Sequence, residues 1–218
     1  TPEAVRALLM QVWAPARARA MADAERLTAL MHADGVNDDL APWDWRYYAA
    51  ILQKQIHDLE EAEVKPYLTL ENMIAASFDC ATRLFDLRLE PLDVPLHNAD
   101  ARAWEVTRNG AHIGVFFGDY FNRSSKRSGA WCSRFRDQSK LDGAVSPVVL
   151  NVCNFAKPEA GQPALLTYDD ARTLFHEFGH ALHGLLSDVT YASISGTSVA
   201  LDFVELPSQL YEHWLSTP

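Results

Sequence analysis

Residues 167–185 constrain the fold more tightly than any other stretch, because their polar and apolar positions fit a helix and little else. Thr167-Tyr168-Asp169-Asp170 has the form of a capping box, in which a hydroxyl and a carboxylate satisfy first-turn amides and complement the helix dipole. Leu174, Phe178, Leu182 and Leu185 then recur every three or four residues as one apolar stripe. Within this helix, His176-Glu177-Phe178-Gly179-His180 places two imidazoles four residues apart on one face, where both can converge on a metal ion at roughly 2.0–2.1 Å. Glu177 sits one residue round from that seam. Its carboxylate can reach a water beside the ion without ligating the metal, as a general base must. Gly179 costs about 1 kcal/mol relative to Ala inside a helix, which implies that a second helix or a substrate approaches the backbone there. The bland alternative for so short a motif is a helix that carries two histidines and a glutamate on a partly polar face.

A catalytic zinc site has three protein ligands and one open position, so the motif leaves one ligand to find. His183 lies on nearly the same face as His176, but seven residues of helix separate their backbones by about 10 Å, too far for all three histidines to meet one ion. Glu205 is the better candidate, in a segment where Val199, Phe203, Leu206, Leu210 and Trp214 predict a further helix packed on the first. Asp202, one turn earlier, can accept the outer N–H of a ligand histidine or sit on a solvated face. Pro207 bends this helix or marks a new first turn. His32, His57, His97, His112 and His213 have no comparable spacing and read as surface or core histidines.

Upstream, residues 2–33 read as a long amphipathic helix, with Val5, Leu8, Leu9, Val12 and Trp13 at helical spacing, a kink or break at Pro15 and a stop at Gly35. Further helices are predicted from Pro42 toward Leu59 and from Leu70 to Leu87. The period then changes. Trp104–Thr107 and Ile113–Phe117 flank Asn109-Gly110, a strong hairpin signal. Residues 122–128 read as a polar, basic loop, and residues 147–153 as one more strand, either a core strand or one whose edge pairs with a peptide. The organisation expected is a helical scaffold over 1–95 and a small sheet with metal-binding helices over 96–218, or one domain containing both.

Composition narrows the function classes. Nineteen Lys and Arg against 29 Asp and Glu leave a net charge of -10, which repels a nucleic-acid backbone. No apolar run is long enough to span a membrane, and no secretory signal pattern opens the chain. Cys80, Cys132 and Cys153 are odd in number and lack metal-binding spacing, so they read as free thiols in a reducing cytoplasm. Thr1 is not a native start residue, so the chain reads as a fragment.

The segment FHEFGHALHGL, followed by SGT and DFVELPSQLYEHW, resembles the thimet oligopeptidase family of zinc metallopeptidases, and most closely its bacterial peptidyl-dipeptidase branch. The resemblance extends to APWDWRYYAA at 41–50, KPYLTLEN at 65–72, GDYFNRSSKRSGAW at 118–131 and the run from Asn154 to His180. It implies His176, His180 and Glu205 as ligands of one zinc ion, with Glu177 as catalytic base. The implied fold is mainly α with a small β-sheet near the active site, the HExxH catalytic region of a larger two-lobed helical enzyme whose deep channel admits short peptides. The implied reaction is release of C-terminal dipeptides by a monomeric cytoplasmic enzyme. The alternatives are general oligopeptidase cleavage, or a zinc-binding fragment without turnover. In one respect the chain departs from the family: the tyrosine and histidine residues that stabilise the oxyanion lie beyond the equivalent of Pro218.

Overall fold

The computed structural model describes residues 1–58 and 61–217. They form two compact units, Thr1–Glu63 and Val64–Pro218.

In the first unit, α1 (Pro2–Ala33) packs against α2 (Trp45–His57). Thr1 caps α1 and Pro2 occupies its first turn, where a missing N–H costs nothing. The helix runs through Pro15 unbroken. Its covered residues are Leu27 and Met31, set against Tyr48 of α2, whereas the predicted stripe at Val5, Leu8, Leu9, Val12 and Trp13 is exposed. The second helix ends at His57, and Leu59 lies outside the described residues. A single turn, α3 (Glu61–Val64), follows.

The second unit builds helices on one mixed sheet. Helix α4 (Leu70–Phe85) is capped by the Thr69 hydroxyl and buries Leu70, Met73, Ile74, Ser77 and Ala81 at helical spacing. Asp86, in the left-handed region at φ 57°, ends it two residues before the predicted limit and turns the chain into β1 (Leu87–Pro91). Strands β2 (Arg102–Arg108) and β3 (Ala111–Phe121) form the expected hairpin. Asn109 and Gly110 both have positive φ, as a tight turn matched to strand twist requires. Then come β4 (Trp131–Arg136) and β5 (Val148–Phe155), and the strand order is β1-β2-β3-β5-β4. All neighbours are antiparallel except β3 and β5. The strand predicted at 147–153 is therefore interior, because β4, which no periodicity revealed, pairs with its other side. β5 has no edge to offer a peptide.

Helix α5 (Tyr168–Leu185) lies on this sheet, begun by the reciprocal capping box of Thr167 and Asp170. An aromatic cluster fixes its seat: Phe178 meets Phe116 of β3 at 5.1 Å between centroids, and Phe78 of α4 meets Trp104 of β2 at 5.2 Å. Residues 201–205 form turns, and α6 (Leu206–Glu212) begins only at Leu206, later than the predicted start near Val199. Pro207 falls in its first turn, where a missing N–H costs nothing. The face of α6 against α5 is also not the predicted one. Ser208 and Tyr211 are buried, whereas Phe203, Leu206, Leu210 and Trp214 keep substantial exposure. Between the two helices, Arg134 of β4 holds the intervening loop by bonding Thr197 and the Ser198 hydroxyl. No helix among the described residues is long and apolar enough to cross a membrane.

Candidate metal centre

Helix α5 presents His176 and His180 on one face, with ring centroids 4.9 Å apart. The chain then leaves the helix, crosses the loop held by Arg134 and returns at α6, whose N-terminal flank supplies Glu205. Its Oε2 lies 3.2 Å from Nε2 of His176 and 3.1 Å from Nε2 of His180. Among the described residues these three form the one group of His, Cys, Asp or Glu ligand atoms gathered as a metal would require, all within 4.8 Å of one another.

The chemistry of the donors suits a cation. Nδ1 of His176 donates to Oε1 of Glu212 at 2.6 Å, the contact that would leave Nε2, which faces the group, as the ligating nitrogen of a neutral ring. Burial holds the His180 imidazole below its usual range, toward the neutral, ligating form. Burial nudges the Glu205 carboxyl up, but the Ser208 hydroxyl and the two imidazoles outweigh it and hold the group below the usual carboxylate range. The cysteines offer no competing site: burial, with Glu177 adding to it, pushes the Cys132 thiol up to about 12, and Cys153 is likewise raised.

Glu177 is only 6% exposed, and its Oε2 has no hydrogen-bond partner. Burial pushes its carboxyl up to about 7, opposed by His176 and reinforced by Glu205. The residue still borders a polar cavity of about 530 Å³, shared with Ala130, Thr173, His176, Gln209 and His213. A buried carboxylate thus borders an open polar cavity.

The other residues weighed from the sequence lie apart from the donor group. His183 lies outside the ligand group and sets its ring 6.1 Å from that of Phe203. Asp202 is exposed and bonds neither imidazole; Glu212 orients His176 instead. Sequence reasoning missed Glu212, and only the short turn of α6 brings it back to His176. His213, read as a surface or core histidine, lines the cavity. His97 and His112 pair with Asp119 and Glu105.

The profile of peptidase family M3 matches residues 1–218. Dipeptidyl carboxypeptidase of Escherichia coli (strain K12) is 42% identical over 221 residues, covering 100% of this chain and 32% of the relative. The dipeptidyl carboxypeptidase of Salmonella typhimurium is 41% identical with the same coverage, and oligopeptidase A of Escherichia coli is 35% identical, with 100% of this chain and 33% of the relative covered. The chain therefore spans about a third of the length of the curated relatives it matches. Matched along its whole length by the family profile, and carrying a donor group with an adjacent buried carboxylate, the chain belongs to peptidase family M3.

Proposed function

We propose that this chain carries the zinc centre of a peptidase acting on short peptides, in which His176, His180 and Glu205 hold the ion and Glu177 moves the proton. The observation that carries this reading is the convergence of the three donors beside a buried, unpartnered carboxylate at the wall of a cavity. The donor set fits zinc: two imidazole nitrogens and one carboxylate oxygen, with His176 at the cavity wall. When bound, zinc polarises a carbonyl and lowers the pKa of water from 15.7 toward about 7. Glu177 then accepts the proton of the attacking water and passes it to the amine nitrogen that leaves.

The substrate backbone has a natural partner in β4. This strand ends the sheet, its outer side has no strand partner among the described residues, and Ala130 just before it lines the cavity. An extended peptide added to that edge would lie alongside Glu177. Release of C-terminal dipeptides is the favoured specificity, since the relatives at 42% and 41% identity are dipeptidyl carboxypeptidases. General oligopeptidase cleavage is the second reading, favoured by the match to oligopeptidase A. The three free thiols suit a reducing compartment such as the cytoplasm.

Two measurements test the proposal. Zinc content and peptidase activity, assayed together, should rise and fall as one on chelation and reconstitution; activity that survives complete zinc removal overturns the reading. Cleavage of one peptide as free acid and as C-terminal amide separates the specificities. A peptidyl-dipeptidase should lose most of its rate on the amide, whereas equal rates point to the oligopeptidase.

A further inference from the structure

We infer that Pro207 and Ser208 are positioning residues for Glu205, which together turn a helix-capping carboxylate away from its own helix and aim it at the two imidazoles. The inference rests on the reading of Glu205 as a metal ligand. Glu205 occupies the N-cap of α6, where a short acidic or hydroxyl side chain ordinarily accepts from the amide of the second or third helical residue. Glu205 makes no such bond. The second residue is Pro207, which has no N–H to offer. The third is Ser208, which presents its hydroxyl instead: Oγ lies 2.9 Å from Glu205 Oε2 and 2.9 Å from the Glu205 carbonyl oxygen. Oε2 is the same oxygen that faces both Nε2 atoms. One hydroxyl and two imidazoles thus define its place, although the Glu205 side chain itself is about half exposed and has little packing to hold it.

The position of the hydroxyl is fixed in turn by α5. Ser208 is fully buried, and a Cβ built at Gly179 would come within 2.7 Å of its Cα and 3.0 Å of the Pro207 carbonyl oxygen. Gly179 immediately precedes His180. The same turn of helix that carries the imidazoles therefore also sets where the hydroxyl stands, so ligands from two separate segments share one reference point.

A purely architectural role for these residues, with proline starting a helix and a buried hydroxyl satisfied by backbone, predicts lost stability and no specific effect on metal. Zinc affinity by chelator competition, the visible spectrum of the cobalt-loaded chain, and thermal unfolding of the metal-free chain distinguish the two. Ser208→Ala should weaken zinc binding about 10-fold or more and alter the cobalt spectrum, while the metal-free unfolding midpoint stays close to wild type. Pro207→Ala supplies an amide that competes for the carboxylate, so it should weaken zinc binding several-fold without destabilising the metal-free chain. It keeps the test intact if Ser208→Ala folds poorly. Wild-type zinc affinity and cobalt spectrum in both variants, or zinc loss only in step with lost stability, would overturn the inference. Failure of the underlying ligand reading looks different: Glu205→Ala would then bind zinc as tightly as wild type.

Discussion

Glu177 keeps a carboxylate oxygen buried and unpartnered, an arrangement that costs stability and that a chemical role explains. Replacing it with glutamine preserves shape and removes the ability to accept a proton. Glu177→Gln should therefore retain zinc and lose at least about 100-fold in peptide hydrolysis, checked by turnover and metal analysis on one sample. Glu212 makes a second residue-scale prediction. Because it holds His176 through Nδ1, Glu212→Ala should weaken zinc binding by about 10–100-fold, whereas Asp202→Ala should leave it unchanged. Metal competition on both variants decides the point. The difference shows what was legible in the sequence. His176, Glu177 and His180 could be read from helical spacing alone, because one helix places all three. Glu205 was a candidate from the segment it occupies and a ligand by family resemblance. Glu212 carried no signal: 36 residues separate it from His176, and its reach depends on a helix start that periodicity misplaced.

Among the elements, the capped helix and the Asn-Gly hairpin were legible because local chemistry decides them. β4 was not, since its large apolar residues Trp131 and Phe135 fall on the exposed face rather than marking a buried one, and its place comes from pairing with β5. The loop at 122–128 was read as polar and basic, and its role is visible only in three dimensions. Buried Asp119 at the end of β3 takes bonds from Arg123, Lys126 and His97, while Lys126 also binds the carbonyls of Asp119, Phe121 and Cys153. This network ties the loop to β3 and β5. Burial alone would raise the Asp119 carboxyl; its three partners hold it well below the usual carboxylate range. A depressed native value means that the group stabilises the fold above its unfolded pKa of about 3.9, and that this contribution is lost as pH falls below that value toward the native one. Asp119→Asn should cost about 3 kcal/mol near neutral pH, toward the low end for a broken buried pair because Arg123 and His97 are partly exposed. Denaturant unfolding from pH 7 down to pH 3 should show the gap between variant and wild type narrowing as the medium becomes acidic; a gap independent of pH would remove the network from the stability of the sheet.

For the molecule as a whole, the chain supplies, on the proposed reading, the metal donors and the base, and it spans about a third of its relatives' length. Hydrolysis also needs donors for the oxyanion, and losing one such donor costs about 100- to 1,000-fold. Tyr211 cannot serve, since its hydroxyl is committed to the Ser77 carbonyl inside the core. At matched zinc occupancy, the 218-residue chain should therefore turn over a quenched peptide at least about 100-fold more slowly than a full-length relative; comparable rates would mean that these residues hold the whole apparatus. That comparison tests sufficiency, while the central claim is the identity of the centre. X-ray absorption at the zinc edge of the loaded chain addresses it most directly. Two imidazole nitrogens and carboxylate or water oxygen at about 2.0–2.2 Å, in a four-coordinate shell abolished by replacing His176 and His180, are the expected result. A sulfur shell near about 2.3 Å, or an all-oxygen shell that persists in the double variant, would contradict a zinc centre built from His176, His180 and Glu205.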